Sequence, residues 1–159
     1  SLKNDPSTKG LYMYGTLGGV RNLYGMGALP IRNYTTNEWP EEVETKKWEA
    51  PSLREGFDHR GHQCNSCGMY HCHMQVIPSG AHKGEIVDEP EYEGWSGAGW
   101  ATGCTEPTEV AWMNTQLDRA CVDVNEWGWL CGWVMECQQK GYISDDDLGS
   151  VSGQPFDHS

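Results

Sequence analysis

The sequence predicts a mainly α fold with a Gly/Tyr-rich, irregular N-terminal part, and three observations carry that prediction. From Pro107 to Gly141 the apolar residues Val110, Met113, Leu117, Ala120, Val124, Trp127, Leu130, Val134 and Cys137 recur at intervals of three and four, the period of a helix with one buried stripe. Residues 1–34 are instead punctuated by Gly10, Gly15, Gly18, Gly19, Gly25 and Gly27, a spacing that suits tight turns better than long helices. Leu, Ile, Val and Phe make up only about 15% of the chain, and 8 Trp, 7 Tyr, 6 Met and 7 Cys supply the missing core volume. With 20 Gly and 8 Pro besides, so thin a core calls for support from a metal, a cofactor or the rest of a larger protein.

Taken in order, Gly15-Thr16-Leu17-Gly18-Gly19 resembles a phosphate-cradling loop only loosely, because it lacks the following Lys-Ser/Thr and the strand-loop-helix setting. Residues 38–60 carry Glu38, Glu41, Glu42, Glu44, Lys46, Lys47 and Glu49, with Pro40 near the start and Pro51 as a stop, and read as a short solvated helix. The 107–141 pattern reads as one long helix or a helical hairpin. Thr105 is the expected N-cap, Pro107 lies in the first turn and Gly141 closes the end. Val122, Val124 and Gly128 weaken its middle. The acidic Asp145-Asp146-Asp147 and the polar end from Gly149 read as a peripheral loop or frayed tail. These segments divide the chain into a lead-in with a short acidic helix (1–60), a helical region (61–148) and a tail (149–159).

A net charge of −12 argues against nucleic-acid or anionic-membrane partners. No apolar run approaches the roughly 18 residues of a membrane span. An odd number of cysteines, three of them clustered, does not suit a disulfide framework and implies a reducing, cytoplasmic setting. Without an initiator Met or a signal peptide, the start suggests a processed N-terminus or a piece of a longer chain.

The most informative run is His62-Gln-Cys64-Asn-Ser-Cys67-Gly-Met-Tyr-His-Cys72-His73. Two thiolates three positions apart can close on one metal, and a third five residues later can reach another vertex. A closed zinc site completed by His71 or His73 is one reading and reduced structural thiols another. A zinc site ordinarily takes its second ligand pair from a similar motif elsewhere, and no second C-x2-C or H-x3–5-H occurs. The spacing therefore favours an iron–sulfur cluster whose fourth ligand comes from a distance.

Tyr14-Gly15-Thr16, then Gly27-Ala28-Leu29-Pro30-Ile31-Arg32-Asn33, the cysteine group, and Glu89-Pro90-Glu91-Tyr92-Glu93 follow one another in an order that resembles the tungsten-dependent aldehyde:ferredoxin oxidoreductase family over roughly residues 11–145. Asp118-Arg119-Ala120-Cys121-Val122-Asp123 sits where that family carries its D-x-x-G-L-D pterin motif, and Gly132-Trp-Val-Met-Glu136-Cys137 with Lys140-Gly141 is similar to the segment that follows it. The resemblance implies a helical cofactor-binding domain, one central segment of a larger enzyme, working with a [4Fe–4S] cluster and a tungsten bis-pyranopterin. It departs from the family pattern in two places: Cys67 and Cys72 are spaced C-x4-C rather than C-x3-C, and Cys121 replaces the motif glycine.

The resemblance assigns Cys64, Cys67 and Cys72 to the cluster, and Asp118, Cys121, Val122 and Asp123 to the pterin. It makes Glu93, with Glu91 as the alternative, the proton-transfer group. Cys104 follows a Gly-rich stretch, and a soft thiolate there is a candidate tungsten ligand of the kind carried by the related class II benzoyl-CoA reductase catalytic subunit; Cys121 is its rival. His59, His62, His71 and His73 flank the cluster as hydrogen-bonding or proton-shuttling groups. The extra cysteines, the changed spacing and the Trp-rich region of Trp95, Trp100, Trp112, Trp127, Trp129 and Trp133 point first to reductive dearomatisation of an aryl-CoA, and next to oxidation of aldehydes to carboxylic acids. A non-catalytic zinc- or cluster-binding module is the reading of another class. The expected partners are the remainder of the same enzyme and an iron–sulfur electron-transfer subunit or ferredoxin.

Overall fold

The computed structural model describes residues 2–39 and 45–149. It is mainly α. Short helices α1 (Lys9–Tyr14) and α2 (Val20–Gly25) flank a 3₁₀ turn at Gly15–Gly19, so the Gly-rich start is built of single helical turns, as its glycines allow, and Gly15–Gly19 forms no open phosphate loop. A further 3₁₀ turn (Thr45–Trp48) leads into α3 (Ala50–Glu55). Three short strands, β1 (Asp58–Gly61), β2 (His73–Val76) and β3 (Ile86–Asp88), form an antiparallel sheet in chain order. Helix α4 (Tyr92–Gly94) runs directly into a π-helical segment (Trp95–Ala101). Helices α5 (Pro107–Arg119), α6 (Val124–Gln139) and α7 (Asp145–Leu148) complete the described chain.

Three local expectations change. The acidic segment is not a solvated helix: Trp48, Ala50, Leu53 and Arg54 are buried, and Pro51 starts α3 rather than stopping it, because its missing N–H falls where a helix needs none. Pro40, Glu41, Glu42 and Glu44 lie outside the described residues. Glu106, not Thr105, is the N-cap of α5. Asp145–Leu148 is a helical turn closed by a capping box with Ser144 rather than a loop, while the tail beyond Gly149 lies outside the described residues.

The 107–141 pattern resolves into two helices, and the break has a definite geometry. At the end of α5, Cys121 N–H bonds the Asp118 carbonyl and Val122 N–H the Leu117 carbonyl, both at 3.0 Å, with Cys121 at φ +57°. This is a Schellman ending with cysteine in the left-handed position that glycine normally fills. Asp123 then caps α6, its Oδ1 accepting from Glu126 N–H at 2.9 Å. Helix α6 ends in the same motif with glycine in place, Gly141 at φ +71° and Tyr142 N–H on the Cys137 carbonyl.

The break also shifts the buried stripe. In α5 it holds, with Val110 and Leu117 buried, but in α6 the buried line runs through Gly128, Gly132 and Met135, while Trp129, Leu130 and Trp133 face outward. The reason is the π-helical segment, every residue of which is buried. It lies along α6 so closely that a Cβ on Gly128 would overlap the Gly97 backbone and one on Gly97 would overlap the Val124 carbonyl. Only glycine permits that approach. Around it Trp39, Trp48, Trp95 and Trp100 pack with ring centroids 5.4–6.0 Å apart. One core joins Leu17, Val20, Leu29 and Ile31 of the lead-in to Val87, Val110 and Ala111, across the 60/61 division drawn from sequence.

Cys121→Gly is expected to stabilise the protein by about 1 kcal/mol in denaturant unfolding, because it removes a side chain from a left-handed residue. A variant no more stable than the parent would contradict the assignment of Cys121 to a strained helix ending.

Candidate functional site

The three clustered cysteines lie on the loop joining β1 to β2. The ladder that ends at Gly61 opposite His73 is prolonged by His62 N–H on the Cys72 carbonyl at 2.9 Å, which fixes the base of the loop. Above it the chain turns through Ser66 (φ +58°) and Tyr70 (φ +54°), and Cys67 N–H bonds the Cys64 carbonyl at 3.0 Å. The loop brings Cys64 Sγ to 3.6 Å from Cys72 Sγ. Cys67 Sγ accepts the Met69 N–H at 3.4 Å.

These environments split the thiols. Backbone N–H groups of Tyr70 and Met69 favour the Cys67 thiolate and lower its pKa. Burial first, then the hydrogen bond and charge of Cys64, push the Cys72 thiol up to about 12. Three soft sulfur donors on one loop, with an N–H already aimed at one of them, fit the demands of an iron–sulfur cluster, whose thiolates are typically hydrogen-bonded.

Two segments distant in sequence close on this loop. Glu91, at the N-cap of α4, lies 3.4 Å from His71 Nδ1 and accepts a hydrogen bond from the Thr16 hydroxyl; that same Thr16 oxygen accepts the Tyr92 N–H at 2.9 Å. His71 Nδ1 is in turn 3.7 Å from Cys72 Sγ, so His71, Cys72 and Glu91 converge with ligand atoms all within 4.8 Å of one another. Thus Tyr14-Gly15-Thr16, the cysteine run and Glu91-Tyr92, which the sequence presents separately, meet at one place.

Glu93 faces elsewhere. It lines a cleft of about 160 Å³ with Leu29, Tyr34, Tyr92, Asn125 and Trp129. Its carboxylate beside Tyr92, with burial second, raises the Tyr92 pKa. Tyr34 on the wall of this cleft is the last of three consecutive left-handed residues, Arg32, Asn33 and Tyr34. The strain is offset because Arg32 and Asn33 N–H groups cap the Trp100 and Ala101 carbonyls at 2.8 and 3.1 Å, ending the π-helical segment, and Asn33 Nδ2 donates to Glu136 at 2.6 Å.

Cys121, Val122 and Asp123 form the exposed connection from α5 to α6, and Asp118 is exposed in the last turn of α5. Asn114 Nδ2 donates to Asp118 Oδ2 at 3.2 Å. Asp123 carries a structural duty as the α6 cap, so the D-x-x-G-L-D pattern reads physically as one helix ending followed by the next helix's beginning. Cys104 is not brought to this connection. It sits beside the N-terminal half of α5, in a cleft lined by Met113, Trp127, Cys131 and Met135, with burial raising its pKa, whereas Cys121 lies beyond the other end of a helix of 13 residues, about 20 Å long. The Gly-rich stretch before Cys104 lets α6 and Val110 of α5 approach the π-helical segment closely. Trp95 and Trp100 are core residues and Trp112 stacks on His82, so the tryptophans do not line one wall.

Sequence reasoning missed Arg54. Buried at 8% exposure, it donates through Nε and Nη2 to the two carboxylate oxygens of Glu89 at 2.8 and 3.0 Å, through Nη2 to the His71 carbonyl at 2.9 Å, and through Nη1 to the Met13 carbonyl. Its place in a charged run gave no periodic cue to burial.

Fold and site together define a helical segment that presents a loop with three free thiols beside a carboxylate-bearing turn. The chain belongs to the aldehyde ferredoxin oxidoreductase family: the family model described as aldehyde ferredoxin oxidoreductase, domains 2 and 3, matches residues 1–156. It is similar to the tungsten-containing aldehyde ferredoxin oxidoreductases of Thermococcus kodakarensis and Pyrococcus furiosus, 28% identical over 151 residues in each case, covering 94% of this chain and 24% of theirs. A shorter match, 31% identical over 76 residues, covers 48% of this chain and 12% of the aliphatic sulfonate oxidoreductase, WOR-like subunit, of Pyrococcus furiosus. The chain therefore spans about a quarter of the length of the first two relatives.

In metal-free protein at pH 8, iodoacetamide is expected to modify Cys67 well before Cys72, since the thiolate is the nucleophile and the two pKa values are displaced in opposite directions. Equal rates, read by peptide mass spectrometry, would contradict this account of the loop.

Proposed function

We propose that this chain is the cluster-loop and pterin-contact segment of a tungsten- and iron–sulfur-dependent oxidoreductase that oxidises aldehydes to carboxylic acids. The observation that carries the proposal is the convergence of the cysteine loop with Thr16, His71 and Glu91, next to the turn that bears Glu93. In the overall reaction an aldehyde and water give a carboxylic acid, two protons and two electrons. A bound tungsten bis-pyranopterin would supply the two-electron chemistry and a [4Fe–4S] cluster the one-electron steps onward to an iron–sulfur acceptor such as ferredoxin.

The chain's own residues have defined tasks in this reading. Cys64, Cys67 and Cys72 bind the cluster, with the fourth ligand coming from the remainder of the enzyme. Asp118 and the exposed backbone of Cys121 and Val122 offer hydrogen-bonding groups to pterin edges, and Asp123 fixes that connection by capping α6. Glu93 takes up or returns a proton in its half-buried cleft. Glu91, clamped by Thr16 and near His71, is the less suited of the two. The free thiols agree with a reducing, cytoplasmic setting, and no described helix is long and apolar enough to cross a membrane.

Aryl-CoA dearomatisation drew on the extra cysteines, Cys104 and Cys121 among them, on the changed Cys67–Cys72 spacing and on the tryptophans. With Cys104 beside the far end of α5 and the tryptophans dispersed, the aldehyde reading is preferred. In the complete enzyme Glu93→Gln should retain both metals and substrate binding yet lower turnover by roughly 10²–10⁴-fold, the usual cost of losing a general acid or base. Near-normal aldehyde turnover, followed with a dye acceptor, would remove Glu93 from the proton path.

A further inference from the structure

We propose that the buried Arg54–Glu89 pair is a positioning device for Cys72, and that the balance between its two charges holds the reduction potential of the centre bound at the cysteine loop. The inference rests on the cluster assignment made above. The two residues that flank Cys72 are both held by this pair. On one side the His71 carbonyl accepts from Arg54 Nη2 at 2.9 Å. On the other, His73 Nδ1 lies 3.0 Å from Glu89 Oε2, and the Glu89 N–H bonds the His73 carbonyl at 2.9 Å. The pair itself is a two-pronged fork with side-chain exposures of 10% and 5%, the geometry that arginine alone provides.

Arg54 is also fixed from behind, by the Met13 carbonyl at the end of α1 and by the Tyr14 ring 5.8 Å from its guanidinium carbon. It therefore ties α1, α3, the cysteine loop and the strand-to-α4 connection to one point. Charges this near a cluster and this well shielded from water bias its two oxidation states, because reduction adds one negative charge. Removing the guanidinium leaves the Glu89 carboxylate uncompensated beside the loop, which disfavours the reduced cluster. Removing the carboxylate does the reverse.

The test is a redox titration of the complete, cluster-loaded enzyme followed by electron paramagnetic resonance. Arg54→Gln should move the cluster midpoint to more negative potential and Glu89→Gln to more positive potential, and the double variant should return towards the parent value. A merely structural pair would lower stability without this opposed and mutually cancelling pattern. Should Arg54→Gln fail to fold, Glu89→Gln and Arg54→Lys carry the test. The first should shift upward. The second keeps the charge but loses the fork, so it should shift less than Glu89→Gln and show altered g values. A loaded Glu89→Gln variant at the parent potential would overturn the proposal. Absence of any iron–sulfur signal in the unmutated enzyme would instead overturn the cluster reading beneath it.

Discussion

The organising constraint of this fold is the backbone-to-backbone contact between the π-helical segment and α6. Gly97 and Gly128 meet where neither can carry a side chain, and Gly132 lies in the same way against the Ala101 carbonyl. A segment buried at every residue has to satisfy its backbone internally or through caps. The terminal carbonyls of Trp100 and Ala101 are met by Arg32 and Asn33, at the cost of a left-handed turn. Because the contact spends no side-chain volume on α6, the bulk of the core is supplied from the other side by Trp39, Trp48, Trp95 and Trp100. A chain poor in aliphatic residues can thereby still enclose a core.

That contact also decides what faces the site. The π-helical segment begins directly after Tyr92-Glu93-Gly94, so its fixed position sets the direction of Glu93 and, one turn earlier, of Glu91. The sheet brings the cysteine loop to the same neighbourhood, and the buried arginine joins them. Helix α6, held by glycines on its inner face, presents Trp129, Leu130 and Trp133 outward, an apolar surface of the kind that in a larger protein is covered by other parts of the molecule.

Much of this was legible in the residues. The α5–α6 period, the weak middle near Val122 and the closing Gly141 were legible because periodicity and caps are local, although one long helix or a hairpin stayed open and the N-cap fell at Glu106 rather than Thr105. The cysteine spacing marked a single local loop, the one that joins β1 to β2, for the same reason. The buried face of α6 was not legible: a pattern search follows hydrophobic side chains, and here the packed line consists of glycines, so Leu130 was placed inside when it lies outside. Arg54 was hidden because burial of an arginine depends on partners such as Glu89 and the His71 carbonyl that are distant in sequence. The packing role of the glycines before Cys104 was hidden for the same reason, because it depends on Gly128 of α6, distant in sequence.

The central claim, that the cysteine loop belongs to an iron–sulfur and tungsten redox centre rather than to a zinc module, is tested most directly by the metal content of the complete protein purified without oxygen. The account predicts about four iron and about one tungsten per chain, together with the broad visible absorption of an iron–sulfur protein. Zinc at about one per chain without iron, the stoichiometry of a closed structural site, would contradict it.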